Sequence, residues 1–513
     1  MKRKWFSLFL TIGLLVTGTV GCTQSGENSS ALSDDSSDAP VTTTTTTTNT
    51  DVAEGTTTLT ESTGTTVVTG NQPQKTEPSV TKKPITSGTT NTTPKTKKPS
   101  TTNQTTTSRT TRITQAPSDS TEYIGPDMLN LKALADRALV NVGNSDRLLR
   151  VFERARSGED IVIGMIGGSI TYGAGATDMS KSYVQKVSKW FQDTFRDSNV
   201  TVVNAGICAT TSFYGVHRAQ RDLLQYEPDF VIVEFAVNDS DIRIMENTYE
   251  MLVRNILESP TQPAVMLLCS MSEGGNNVQE WHEKVAEHYQ LPLVSYKNAL
   301  WPEVASGRIK FSDITADTVH PNDAGHNAMA YFVTDALSRI YKQKLDLDKR
   351  AYVVPSATCY ETVYDEKPVM FKNARMVNTD EIKAKSKGDV RIVDIGYGEK
   401  AYEISKNASI DIDISGYSAV AFRYLYKNRE DMGSALIQVN NGTAVLHNGS
   451  VDMLLDGWFP AAGAETSLNE LIVTGLDTAA KNTMTVIHAG ILSPDHPGVT
   501  GEHFYIIDLM VSE

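Results

Sequence analysis

Hydrophobic positions are spread unevenly along the chain. An apolar run from Trp5 to Val16 follows Lys2, Arg3 and Lys4 and closes on small residues. This is the layout of a secretory signal peptide and is too short for a permanent membrane span. From Thr23 to Thr121 there is no Phe, Trp, Tyr or Met, and Thr, Ser, Pro and Asn dominate, including the unbroken run Thr42 to Thr48. Such a stretch buries too little apolar surface to offset its ordering entropy and is expected to be disordered.

Aromatic residues return at Tyr123. From there to about Leu345, short apolar runs (Ile161 to Ile166, Val200 to Val203, Phe230 to Phe235, Ala264 to Cys269, Leu291 to Tyr296) alternate with stretches of helical spacing such as Ser182 to Phe195 and Val278 to His288. Continuous rather than alternating apolar runs predict strands covered on both faces, hence a parallel sheet between helical layers, with an active site beyond the carboxyl ends of the strands.

After a helix ending near Lys344 the period changes to two. Ile410, Ile412 and Ile414 alternate with acids, Val420, Phe422, Tyr424 and Tyr426 alternate again, and Asn441-Gly442 has the chemistry of a hairpin turn. An all-β sandwich of jelly-roll type is expected there. The division is therefore signal peptide 1–21, disordered linker 22–121, α/β domain 122–345 and β-sandwich 346–513.

Composition narrows the function. With 47 Lys plus Arg against 61 Asp plus Glu among 513 residues, the chain is too acidic for nucleic-acid binding to be its main task. The linker separates its charge: residues 23–62 hold acids only, whereas Lys75 to Arg112 hold eight basic residues and the single acid Glu77. A solvated, O-glycosylated spacer of about 50 to 60 Å root-mean-square reach is expected, and the basic half also suits an anionic wall polymer. No other apolar stretch of about 20 residues follows the signal.

Candidate chemistry lies at the ends of the apolar runs. Gly167-Gly168-Ser169-Ile170-Thr171 follows the first; a Ser at such a turn either presents its hydroxyl among free N–H groups or caps a tight turn. It is not a Walker loop, Gly173-Ala174-Gly175 lacks a third glycine at dinucleotide spacing, and Thr171 excludes the Gly-x-Ser-x-Gly elbow. Asn204-Ala205-Gly206 ends the second run, Ala236-Val237-Asn238-Asp239 the third, and Asp317-Thr318-Val319-His320-Pro321-Asn322 comes late.

Ser, Gly, Asn and Asp-x-x-His on four successive loops resemble the SGNH (GDSL-type) hydrolases over roughly residues 140 to 345, with Gly168 where that family usually has Asp. The resemblance implies a three-layer αβα sandwich with a five-stranded parallel, flavodoxin-like sheet. It also implies Ser169 as nucleophile, His320 as base, Asp317 as its orienting carboxylate, and an oxyanion hole of the Ser169 and Gly206 N–H groups with the Asn238 amide. Neither metal nor other cofactor is required. The chemistry is independently intelligible: imidazole takes the serine proton near neutral pH, and a carboxylate three residues earlier holds the productive tautomer.

Thr19-Val20-Gly21-Cys22 resembles the lipobox of bacterial lipoproteins, with Thr in place of the usual aliphatic residue, so Cys22 is expected to carry lipid and to hold the protein at the outer face of the cell membrane by that anchor only. Cys208 and Cys269 near strand ends are either a disulfide or two thiols, and Cys359 has no partner if Cys22 is lipidated. His326 is read as structural, His217, His282 and His288 as solvent-facing or core, Asp239 as a cap or as an orienter of Asn238, and Tyr172 and Asp178 as either acyl-pocket or surface residues. Trp458 and Phe459 offer either a stacking surface or sandwich packing.

Together these features predict a cell-surface serine esterase acting on acetylated polysaccharide, plant hemicellulose or wall glycan. Lipase, acyltransferase and non-catalytic glycan-binding lipoprotein are the alternatives. The sequence leaves open the oligomeric state, the glycan and the acetyl position.

Overall fold

The computed structural model describes residues 67–69, 123–343, 363, 371–396, 398–425, 427–440, 452–458, 473–490 and 499–513. The expectations for the signal peptide, Cys22, Cys359, Tyr426, the Asn441-Gly442 turn and Phe459 lie outside them.

The first domain alternates strand and helix as its apolar runs require. Five strands, β3 (Ile161–Gly167), β4 (Val200–Gly206), β5 (Phe230–Glu234), β6 (Ala264–Cys269) and β7 (Leu293–Ser295), pair in parallel in the order β4-β3-β5-β6-β7. The edges carry two short additions. An antiparallel strand β2 (Leu139–Asn141) lies on β7, and β1 (Val67–Thr69) runs parallel to β4. The latter puts three residues of the stretch expected to be disordered onto a sheet edge; its two adjacent valines are an apolar exception in that Thr-rich segment.

Strand residues alternate between two cores. Ile161, Ile163 and Met165 of β3 face helices α1 (Leu131–Ala138), α2 (Asp146–Arg156), α4 (Tyr183–Thr194), α8 (Tyr296–Ala305) and α9 (Asp323–Tyr341). Ile166, with Val231 and Val233 of β5, faces α5 (Ser212–Asp222), α6 (Arg243–Leu257) and α7 (Gln279–His288). Burial on both faces is why these strands read as unbroken apolar runs. The chain leaves β3 for β4 on one side and later enters β5 on the other, so the crevice of this sheet opens beyond the carboxyl end of β3.

The second region is two antiparallel sheets facing across an apolar core. One is β10 (Val390–Gly396), β11 (Glu399–Ser405), β18 (His503–Ser512), β13 (Ala419–Tyr424) and β16 (Val473–Thr474), with β8 (Arg375–Asn378) also on β18. The other is β15 (Asp452–Asp456), β14 (Ser434–Val439), β17 (Thr483–Gly490), β12 (Ser409–Asp413) and β9 (Ala384–Lys387). Ile410, Ile412, Val420, Phe422 and Tyr424 all point into the shared core, so the period-two pattern is its inner face. Half-buried Trp458 packs beside Leu425, Met432 and Tyr505, as a packing residue does.

The outer face of β8, β13 and β18 is apolar as well. Met376, Ala421 and Met510, with Phe371 and Ala374, share one core with Phe213, Tyr214 and Val216 of α5. Two-sided burial makes β18 almost continuously hydrophobic apart from Asp508, which receives Arg423 Nε at 2.9 Å on both oxygens and Arg423 Nη2 at 2.5 Å. Tyr214 of α5 lies beneath two guanidinium groups, Arg423 at 5.5 Å and Arg218 at 5.6 Å from its ring centre. Removing one member of a buried pair strands the other charge. Asp508→Ala is therefore expected to cost about 3 kcal/mol, the low end of that class because Glu399 also holds Arg423 at 2.8 Å. Chemical denaturation checks it, and a loss below about 0.5 kcal/mol, the range of ordinary surface substitutions, refutes it.

Candidate active site

The site is assembled from turns at the carboxyl end of the sheet. β3 ends at Gly167, Gly168 follows, and a single helical turn, α3 (Ser169–Tyr172), starts at Ser169. The Ser169 N–H lies in that first turn, where no intrahelical acceptor exists. Close packing explains the glycines. A Cβ on Gly167 would lie 2.1 Å from Thr171 Oγ1 and 2.5 Å from the Glu234 carbonyl oxygen, and one on Gly206 would lie 2.2 Å from the Tyr172 backbone nitrogen. At Gly168, where the resembled family has Asp, a Cβ would lie 2.4 Å from Asn238 Oδ1. The bare backbone there lets the Asn238 amide close over the nucleophile turn.

Ser169, His320 and Asp317 meet in an unbroken relay. Ser169 Oγ is 2.8 Å from His320 Nε2, and His320 Nδ1 is 2.7 Å from Asp317 Oδ2. The other oxygen, Asp317 Oδ1, accepts the Val319 and His320 N–H groups at 2.7 Å each. Burial, the largest single influence, pushes this carboxyl up, but the bonds from the His320 backbone and ring and from Val319 outweigh it and hold Asp317 below the usual carboxylate range. With Asp317 charged, Nδ1 carries the proton and Nε2 is free to accept from the serine.

Beside the serine, the Ser169 N–H and the Asn238 amide are the donors available to a developing oxyanion. Gly206 differs from the expectation for it: its N–H donates to Asn204 Oδ1 at 2.9 Å, while Asn204 Nδ2 donates to the Tyr172 carbonyl at 3.4 Å. The Asn204 side chain thus occupies the third donor.

The two halves of the site are fastened together. Asp323, at the start of α9, accepts the Thr177 N–H at 2.8 Å, the Thr177 hydroxyl at 2.7 Å and Lys181 Nζ at 2.6 Å. Led by the Lys181 bond, these lower its carboxyl to about 2. His326 Nδ1 accepts the Tyr183 N–H at 3.3 Å, so Nε2 donates to the Ala174 carbonyl at 3.1 Å, a structural role. Gly175, at φ +89°, lies where a Cβ would be 2.2 Å from the Pro321 carbonyl oxygen and 3.0 Å from His320 Cβ.

Other residues fall into place by their contacts. Asp239 accepts the Ser212 N–H at 2.8 Å and so caps α5, a helix from a different loop. His217 is buried with Nδ1 donating to the Phe213 carbonyl at 2.7 Å, and burial lowers it to about 4. His282 stacks on Tyr249 with centroids 3.5 Å apart; His288 is half-buried against Tyr289. Cys208 and Cys269 are two thiols and form no disulfide with each other. Asp178 caps its own turn through the Ser180 N–H at 2.8 Å, while Tyr172 of the serine turn is 38% exposed and Met179 is 43% exposed.

Two charged residues went unnoticed in the sequence. Arg218 is fully buried and donates to the Gly167 carbonyl at 3.0 Å and the Ala205 carbonyl at 2.8 Å, pinning the strand ends that carry Ser169 and Gly206. Glu234, also fully buried, ends β5 beside Gly167. A carboxylate inside the run Phe230 to Phe235 was the visible signal for the second; the spacing of Arg218 to Asp222 was a faint one for the first.

Comparison with known proteins agrees with this geometry. Residues 165–328 match the family described as GDSL-like lipase/acylhydrolase. A two-domain esterase active on acetylated mannans, solved with mannopentaose, is 29% identical with a TM-score of 0.61, and the match covers 74% of this chain and 98% of that one. An acetyl xylan esterase is 19% identical (TM-score 0.30; 34% of this chain, 99% of that one). A peptidoglycan O-acetylesterase is 14% identical (TM-score 0.33; 40% and 99%). No curated protein matches. The chain carries a GDSL-like lipase/acylhydrolase domain of the SGNH fold, and its site is that of a carboxylic ester hydrolase.

Proposed function

We propose that this GDSL-like hydrolase domain and the sandwich packed on it form a cell-surface serine esterase that removes O-acetyl groups from polysaccharide, with acetylated mannan as the preferred class. The observation that carries the chemistry is the Ser169–His320–Asp317 relay at the mouth of the β3 crevice. Ser169 Oγ attacks the acetyl carbonyl carbon while His320 Nε2 takes its proton; the oxyanion rests on the Ser169 N–H and the Asn238 amide. The imidazolium returns the proton to the departing sugar oxygen, leaving acetyl-Ser169. A water molecule, deprotonated by His320, then attacks this ester; the acyl bond to Ser169 Oγ breaks, the imidazolium returns the proton to Oγ, and acetic acid leaves and ionises to acetate. The chain's own residues supply every proton transfer in this sequence.

The two-domain match supports the mannan preference because it spans both the hydrolase and the sandwich. Surface anchoring through Cys22 rests on the lipobox-like sequence after the signal segment. Among the described residues no helix is long and apolar enough to cross a membrane.

Acetate release by the full chain from acetylated mannan, acetylated xylan and acetylated peptidoglycan tests the reading. The highest kcat/KM is expected on mannan. Preference for peptidoglycan would move the function to the cell wall, and no release from any glycan by folded protein would overturn the esterase assignment.

A further inference from the structure

Glu234 stands under the nucleophile turn and has no part in the relay. It is the last residue of β5, register partner of Gly167, and its backbone carbonyl closes on that glycine. Its side chain is buried. Oε1 accepts the Ser270 hydroxyl, which follows β6, and Oε2 is buried with no hydrogen-bond partner. The Thr171 hydroxyl and the Ala236 N–H also face the carboxyl. Thr171 lies in the single turn that begins at Ser169 and is itself 2.8 Å from the Tyr183 hydroxyl of α4. Ala236 lies in the loop that leads to Asn238. One carboxyl thus stands where the serine turn, the amide-bearing loop and the end of β6 converge.

We propose that Glu234 is a positioning residue of the esterase site, holding the turn of Ser169 and the loop of Asn238 in register with each other; this rests on the ester hydrolase reading above. A fully buried carboxyl in such a place favours the protonated form, because burial penalises the charge more than the surrounding donors offset it. Of the titratable groups around it, the Asp239 charge from the loop after β5 adds to that preference, while Tyr183 from α4 and Cys269 from β6 are themselves pushed up and stay neutral, with Glu283 and Lys297 lying beyond Cys269. Burial, and after it the Asp239 charge, push the carboxyl up to about 7 against the contrary pull of Ser270, Ala236 and Thr171. The neutral acid holds the turn. Ionisation puts a buried negative charge against the turn that carries Ser169 and the loop that carries Asn238.

The test compares wild type, Glu234→Gln and Glu234→Leu with p-nitrophenyl acetate across pH 5 to 9, with thermal midpoints at each pH. Wild-type kcat is expected to fall as pH rises through about 7. Glu234→Gln, a permanent neutral mimic, keeps its kcat there, and Glu234→Leu loses about 10- to 100-fold in kcat with KM little changed, the cost of a misplaced turn. Because the folded group is raised above its unfolded value, wild type also loses stability relative to Glu234→Gln as pH rises from the ordinary carboxylate range towards about 7. Matching pH profiles for wild type and Glu234→Gln, or undiminished kcat in Glu234→Leu, would overturn the role of Glu234. Absence of wild-type turnover would instead overturn the esterase reading itself.

Discussion

Replacing Ser169 by Ala is expected to lower kcat/KM for acetate release by about 10⁴-fold or more while leaving the fold intact. The hydroxyl's hydrogen-bond partner is His320 Nε2 at 2.8 Å, and the residue is already 93% shielded from solvent, so its loss removes one oxygen and little packing. Alanine is well suited to the first turn of α3. What remains is the pair of oxyanion donors, the Ser169-position N–H and the Asn238 amide, which can still polarise an acetyl group for attack by water and which set the residual rate. Because serine and histidine act as a unit, His320→Ala should fall as far, and the double variant no further than either. Acetate release from acetylated mannan at matched protein concentration measures all three. A Ser169→Ala enzyme retaining a tenth of wild-type activity would exclude an acyl-enzyme at this residue.

The strands were legible because burial on both faces leaves no polar position to confuse the pattern: β3, β5 and β6 coincide with Ile161 to Ile166, Phe230 to Phe235 and Ala264 to Cys269 to within a residue. β18 is the contrary case. It is buried on both faces like a parallel strand yet lies in an antiparallel sheet, because its outer face is covered by α5 of the other domain, which no local pattern announces. The relay residues were legible as residue types in order along the chain, but their mutual distances depend on loops. The Asn204 bond to the Gly206 N–H is a side-chain choice that spacing does not encode. Arg218 and Glu234 were passed over for different reasons. Glu234 is a single charge in an apolar run and reads locally as noise, whereas Arg218 stands among His217, Gln220, Arg221 and Asp222 and reads as part of a solvent face; each becomes meaningful only when the carbonyls of Gly167 and Ala205, or the hydroxyl of Ser270, are found waiting for it.

Asp317→Asn is expected to be nearly as damaging as loss of the serine, lowering kcat by about 10⁴-fold, and the reason lies in the two backbone bonds the carboxylate accepts. In the wild type Oδ1 takes the Val319 and His320 N–H groups, and Oδ2 takes the His320 ring, all at 2.7 Å. An asparagine must divide its carbonyl and amide between those two places. Two backbone donors outvote one ring nitrogen, so the carbonyl stays on the N–H groups and the amide nitrogen turns to His320 Nδ1. A donor there requires Nδ1 to be unprotonated, which places the ring proton on Nε2, facing Ser169 Oγ. The base then presents a proton where it should receive one. Asp317→Ala removes the orienting acceptor but imposes no wrong tautomer, so the two variants separate geometry from protonation. Asparagine is expected to be at least as slow as alanine despite being the closer isostere, with KM little changed in either. Nitrogen-15 chemical shifts of the His320 ring supply the direct check: the Nε2-protonated form in Asp317→Asn and the Nδ1-protonated form in wild type. An Asp317→Asn enzyme within about tenfold of wild type, a difference of only 1.4 kcal/mol in the barrier, would show that Asp317 does not set the tautomer.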